Sequence, residues 1–276
     1  MKSKLIKNGI AYIILTGLGI TFILPLIWMI RSSFMDISQI FILPPIWIPD
    51  PFTLGNYSEA TTMAPFGLYA MNTLIILVFG LIGTIMTGTL AGYGFSRLKW
   101  KGREFVFSLI LSGMMLPTVV TLIPQFIGWR ALGFYNTFVP LIAPSFLGGG
   151  AFNIFLFRQF MMSIPKELDE AAVVDGASYF QIYSKIIMPL SKSAIVVVAI
   201  FTFMYHWNDF FNPLIYLSND KMFTLAIGLQ QLQGQYVSAW HVIMAASTIV
   251  VLPCLLVFLI GQKYILEGIV MTGMKA

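Results

Sequence analysis

Along the chain's 276 residues, polar positions are confined to short interruptions between long apolar runs. A helix needs about 20 mostly apolar residues to cross a bilayer. Six windows meet that length: roughly 9–30, 70–95, 105–128, 136–160, 191–215 and 241–263. No Asp, Glu, Lys or Arg falls within 9–30, 70–95, 105–128 or 136–157. The pattern predicts an all-α integral membrane protein with six transmembrane helices, one membrane domain over 1–276, and a short helix pair at 163–189 between the fourth and fifth spans. Residues 9–30 follow Lys2, Lys4 and Lys7 as a secretory signal would. The run is too long for one and ends in Pro-Leu-Ile-Trp at 25–28 and Arg31 with no small-residue cleavage site, so it reads as a retained first span.

Breakers and small residues modulate these windows. Pro117 and Pro124 interrupt the third, and Pro140 and Pro144 the start of the fourth; each frees a backbone carbonyl that protein or water must satisfy. Gly80, Thr84, Gly88 and Gly92 recur at every fourth position of the second span. Such a stripe lets another helix approach closely, within the chain or at a subunit interface. Between spans, "LPPIWIPDPF" within 35–69 is set by its prolines to extended or turn structure. Residues 217–240 carry Gln230, Gln231, Gln233 and Gln235 and could face a water-soluble partner.

Composition sharpens the class. Hydrophobic residues make up 58%, charged residues 10%, and the mean hydropathy is +0.86. A soluble domain carries about 25% charged residues. Of the 16 Lys and Arg, 13 fall on one side of the predicted spans, leaving Arg31, Arg130 and Lys221 on the other. By the positive-inside rule both termini and the 163–189 segment are cytoplasmic. This asymmetry accounts for the net charge of +5 without invoking nucleic acid.

Several chemistries are excluded. The lone Cys254 permits neither an internal disulfide nor a cysteine metal cluster, and reads as a small buried hydrophobe. No Gly-Lys dipeptide occurs, so there is no Walker A phosphate cradle. Ion-coupled carriers keep ionisable groups inside their spans, and these spans hold almost none. His206 and His241, near outer span ends, read as interfacial hydrogen-bonders rather than proton relays. Uphill transport would need energy from outside the chain.

One stretch departs from this pattern. "ELDEAAVVDGASYFQIYSKIIMP", residues 167–189, holds four of the chain's 11 acidic residues within nine positions. Pro165 suits a first helical turn, and Glu167 follows where the helix dipole favours it. Leu168, Ala171, Ala172 and Asp175 share one face, kept shallow by the paired alanines. Gly176 fits the left-handed position that ends a helix. Ser178 and Gln181 form a capping box that starts a second helix, with a stripe of Tyr179, Phe180, Tyr183, Ile186 and Ile187. Pro189 marks its end or a kink. The residues alone leave two readings open, an amphipathic loop lying on the membrane and a docking knob for a basic cleft on a soluble partner.

The segment resembles the EAA loop of ABC importer permeases, E-A-A-x-x-x-G-x(9)-I-x-L-P. It supplies Glu170, Ala171, Ala172, Gly176, Ile186 and Pro189 at matching spacing, with Met188 at the usual Leu. "NTLIILV" (72–78), "LAGYGFSRLKWKGR" (90–103), "MMLPTVVTLIP" (114–124), "WNDFFNPL" (207–214) and the tail "GMKA" (273–276) are similar to the maltose-type carbohydrate permeases, the MalG-like subunit. Ser-Lys-Ser at 191–193, where that family often has a proline, and Ala276 in place of a final glycine are departures.

The resemblance implies a permease subunit of a binding-protein-dependent ABC importer for a carbohydrate, not an enzyme, in the bacterial cytoplasmic (inner) membrane. It implies a MalF-like second permease as heterodimeric partner, two copies of a cytoplasmic ABC ATPase, an external solute-binding protein facing 217–240, and contact with membrane lipid. No cofactor is expected on this chain; ATP and Mg belong to the ATPase subunits. Glu170, Ala171, Ala172, Asp175, Gly176, Pro189 and the tail around Lys275 are the expected ATPase-coupling residues. Asn72, Gln125 and Asn153 are candidates for the substrate pathway, each equally able to serve as an internal helix–helix hydrogen bond. A polyol or sugar phosphate as solute, and a stand-alone secondary carrier or channel, are the alternatives.

Overall fold

The structure is a computed structural model and describes residues 2–235 and 239–273. Among the described residues all regular structure is helical: α1 Lys2–Ser32, α2 Ile37–Ile40, α3 Gly55–Met63, α4 Phe66–Ser96, α5 Arg103–Ser112, α6 Thr118–Ala131, α7 Val139–Ile142, α8 Ala151–Ser163, α9 Glu167–Val174, α10 Tyr179–Ile182, α11 Met188–Leu190, α12 Lys192–Asn208, α13 Phe211–Tyr216, α14 Leu225–Gln235 and α15 Trp240–Gly273. Short 3₁₀ turns and a π-type stretch, Tyr183–Ile187, lie between them.

Four stretches are long and apolar enough to cross a membrane: Asn8–Ser32, Phe66–Ser96, Val139–Ser163 and Trp240–Tyr264. Two bent pairs, Arg103–Met115 with Thr118–Ala131 and Tyr179–Leu190 with Lys192–Asn208, bring the number to six when each counts as one span. The third predicted span is therefore not straight. It turns by 101° at Pro117, because the residue before a proline is driven out of the helical region, and Leu116 sits extended at φ −75°, ψ 121°. The fourth span is also interrupted. Gly148, Gly149 and Gly150 all have positive φ between the 3₁₀ turn Ala143–Phe146 and α8. The fifth stops at Asn208, short of the predicted 215, and resumes as α13.

The chain divides into two compact units, 68–227 with 254–276, and 1–67 with 228–253. In the first, α4 is the central post. Its glycine stripe packs within the chain: a Cβ at Gly92 would lie 2.5 Å from the Phe157 Cβ, and one at Gly88 would lie 3.2 Å from the Gly148 carbonyl. Gly80 sits against the His206 ring, and Thr84 against Gly149. The Thr87 hydroxyl accepts the Gly148 N–H at 3.0 Å, pinning the interrupted fourth span to α4. At one end of α4 the Thr73 hydroxyl accepts the Leu225 N–H, beside a cluster of Ile76, Leu141, Tyr216 and Leu217. At the other end lies a larger core containing Tyr93, Phe157, Met161, Ile182, Ile187 and Val198.

In the second unit, α1 leaves most of its apolar side chains from Ile10 to Ile27 exposed, as suits a lipid-facing or subunit-facing helix. Its end is tied to α3 by the Asn56 side-chain amide, which donates to the Ser33 and Met35 carbonyls at 2.9 and 2.8 Å. The Arg31 guanidinium stacks over Trp28 at 3.9 Å. The proline-rich stretch 42–54 is turn and extended chain, as its composition requires. His241 lies 3.8 Å from the Glu59 carboxylate.

Candidate functional site

The 163–189 segment folds as a helical hairpin whose local logic is written in its residues. Gly176 adopts φ +80°; a Cβ there would meet nothing within 4 Å. The demand for glycine is therefore conformational rather than steric. The Ala177 N–H closes onto the Ala172 carbonyl at 2.9 Å. Ser178 and Gln181 then form a reciprocal capping box, with the Gln181 Oε1 accepting the Ser178 N–H at 2.7 Å. Such a cap contributes about 1 kcal/mol. Pro189 falls in the first turn of α11 and stays exposed; the segment bends by 75° on entering α12.

One face of this hairpin is fixed to the rest of the unit. Ala172, Ile182, Tyr183 and Ile187 are buried in the core shared with Tyr93, Phe157 and Met161. Thr89 Oγ1 and the Tyr183 hydroxyl are hydrogen-bonded at 2.8 Å, and the Tyr93 hydroxyl donates to the Tyr179 carbonyl at 3.1 Å. Arg97, its side chain 2% exposed, donates through Nη2 to the Met161 and Ile164 carbonyls at 2.6 and 2.7 Å. Its Nη1 lies 3.4 Å from Asp169 Oδ2. Burial pushes the Asp169 carboxyl above the ordinary aspartate range, against the pull of Arg97. Nearby, Arg158 Nη2 meets both Glu104 carboxylate oxygens at 2.9 and 2.8 Å, and its Nε donates to the Phe95 carbonyl.

The opposite face is open. Glu167, Glu170, Ala171, Asp175, Gly176, Val173, Val174, Tyr179 and Phe180 are exposed, Val174 to 87%. Here the structure corrects the sequence. Ala171 and Ala172 do not share a contact face, because Ala172 turns into the core while Ala171 points outward. Tyr179 and Phe180 belong to the open face, not to the stripe that packs Tyr183 and Ile187. Lys275 and the terminal "MKA" lie outside the described residues.

A second feature is a cavity of about 640 Å³ lined by α4, α6, α7, α8, α12 and α13. Gln125 and Asn153 both line it, and Asn153 Nδ2 is held by the Gly149 carbonyl at 2.6 Å. Asn72 does not. Its amide donates to the Lys221 and Phe223 carbonyls at 2.9 Å each, bracing the loop before α14. The wall instead gains Tyr205, Asp209 and Asn212. Asn212 Nδ2 donates to the Tyr205 hydroxyl at 3.3 Å and to Asp209 Oδ2 at 3.0 Å. His206 is buried beside them, its ring 5.1 Å from that of Tyr205. A detectable signal existed: Asp209 is the one Asp or Glu inside any of the six predicted windows. An ionisable residue there marks a functional site by default. With Phe152 and Phe201, ring centroids 6.2 Å apart, the wall pairs flat aromatic faces with amide, hydroxyl and carboxylate groups.

The family model described as the binding-protein-dependent transport system inner membrane component matches residues 84–270, a stretch that includes the hairpin and every residue lining the cavity. The chain belongs to this family. The permease is 30% identical over 278 residues to the arabinooligosaccharides transport system permease protein AraQ of Halalkalibacterium halodurans, covering 99% of this chain and 96% of that protein. It is 30% identical over 251 residues to the sulfoquinovosyl glycerol transport system permease protein SmoH of Agrobacterium fabrum, covering 91% of this chain and 88% of that protein. Its fold is similar to a chain in the crystal structure of a bacterial ABC transporter involved in the import of the acidic polysaccharide alginate, with a TM-score of 0.83 at 22% identity, covering 96% and 98% of the two chains. The permease is thus a multi-pass membrane protein and a transport subunit rather than an enzyme.

Proposed function

We propose that the permease forms half of the translocation pathway of an ABC importer for a carbohydrate, an oligosaccharide fitting best. It works as a heterodimer with a MalF-like second permease in the bacterial inner membrane, both termini cytoplasmic. Two copies of a cytoplasmic ATPase supply ATP and Mg, and an external solute-binding protein delivers the solute. The single observation that carries this reading is the 163–189 hairpin, rigidly backed on one side and open on the other with Glu170, Asp175, Val174 and Phe180 exposed. Carboxylates beside apolar side chains suit a cleft with basic residues, where a charge-assisted contact adds specificity. The polar and aromatic cavity supports a polyhydroxylated solute, and so does the likeness to an arabinooligosaccharide permease. The likeness to SmoH favours a second reading, another polar glycoside or polyol as the solute.

Glu170→Lys reverses charge on the open face, and Gly176→Asp places a further carboxylate, in a left-handed turn, on that face. Both variants are expected to reach the membrane and keep the second permease, while losing the ATPase and with it ATP-driven uptake. Copurification and uptake in proteoliposomes measure this. Normal ATPase retention and uptake by both would remove the docking role. A ligand screen on the binding protein identifies the solute.

A further inference from the structure

We propose that Arg97 is a positioning residue that locks the 163–189 hairpin to α4, so that a push on the hairpin moves α4 with it as one body; this rests on the docking role given above.

The hairpin is covalently continuous only with α8 and α12, and both joints are poor levers. After α8 the chain leaves the helix at Ile164, φ −72°, ψ 134°, and before α12 it bends by 75°. The stiff route is made of side chains. Thr89 and Tyr93 of α4 and Arg97, the residue just past its end whose N–H still bonds the Tyr93 carbonyl at 2.9 Å, recur every fourth position and so form one stripe. Each grips a different part of the assembly: Thr89 the Tyr183 hydroxyl, Tyr93 the Tyr179 carbonyl, and Arg97 the end of α8 together with Asp169 of α9.

Arg97 is the one of the three that joins α4, α8 and α9 at a single group. A planar fork of donors can meet two carbonyls and a carboxylate at once, which a lysine ammonium does not reproduce. Its carbonyl partners, Met161 and Ile164, lie at the C-terminal end of α8, where the last carbonyls run out of helical N–H donors, the Met161 carbonyl accepting also the Ile164 N–H at 3.3 Å. Asp169 is half-buried beside it as an ion-pair partner at 3.4 Å, while its Oδ1 and the Arg97 Nε and Nη1 make no hydrogen bond.

The test uses the whole complex with its second permease and ATPase. After Cys254→Ala, nitroxide labels are placed through Ile82→Cys on α4 and Lys166→Cys ahead of α9, both exposed positions. Electron–electron distances are measured without nucleotide and after trapping with MgATP and vanadate. With Arg97 intact, one distance is expected in both states. In Arg97→Gln, and in Arg97→Lys, it is expected to change on trapping by more than about 2 Å, the upper scale of helix shifts at switching interfaces, with the ATPase still copurifying. Should Arg97→Gln fail to insert, Tyr93→Phe and Asp169→Asn carry the same measurement.

Three results overturn the proposal: a state-independent distance in all these variants, a distance that already changes with Arg97 intact, or loss of the ATPase from Arg97→Gln as complete as from Glu170→Lys. The last would make Arg97 a shaper of the docking face and not a transmitter. Failure of the docking role itself reads out separately, as a Glu170→Lys complex that keeps its ATPase.

Discussion

Asp169 carries a conflict between two electrostatic effects. Burial is the larger and raises its carboxyl; Arg97 and Lys166 oppose it, while Glu170 adds to it. With a folded-state value above the unfolded one, the folded protein binds more protons in the window just above the ordinary aspartate range. Stability contributed by this group then falls as pH rises through that window. Asp169→Asn removes the buried charge, so the purified permease should melt no lower than its parent at neutral pH, and the difference should shrink on acidification. Scanning fluorimetry across pH measures both. Such a residue was only partly legible in the sequence. The acidic cluster stood out, and Gly176 with the Ser178–Gln181 box could be read because turn and cap chemistry are local. Which alanine of the pair faces inward was not, since a short helix with apolar residues on both sides leaves its rotation to tertiary packing.

Elements show the same division. Window positions followed from hydropathy, yet three of six spans are broken, and where they break depends on what packs against them. Pro117 marked a break that the structure makes into a 101° turn; the glycines at 148–150 became a turn because Thr84 and Thr87 of α4 lie directly beneath. The stripe on α4 was ambiguous between internal and intersubunit packing, and Phe157 and Gly148 settle it as internal at Gly88 and Gly92. Gly92→Ala would drive a methyl group to 2.5 Å from the Phe157 Cβ, an overpacking that typically costs about 1–3 kcal/mol. Two residues on, a Cβ at Gly94 meets nothing within 4 Å. Gly94→Ala should therefore leave stability unchanged or raise it through helix propensity, by up to about 1 kcal/mol. Thermal melts of the two variants in one detergent decide the matter, and equal midpoints would contradict the packing.

At the scale of the molecule, cavity and hairpin are separate parts of one unit and should fail separately. Tyr205→Ala or Asn212→Ala opens the Tyr205–Asn212–Asp209 group and should raise the KM of uptake about tenfold, equivalent to about 1.4 kcal/mol, with ATPase retention unchanged. Glu170→Lys should do the reverse. Uptake kinetics and copurification on the same preparations separate the two. The cavity was the least legible feature, because its wall is assembled from six helices and one of its three sequence candidates, Asn72, belongs to a loop brace instead. The hairpin's mounting carries a practical corollary for anyone re-assigning ATPases between relatives. Because Thr89, Tyr93 and Arg97 hold it from a distant stretch of chain, grafting residues 163–189 alone would leave the transplant sitting on the host's ill-fitting seat. Those three positions would have to travel with the graft.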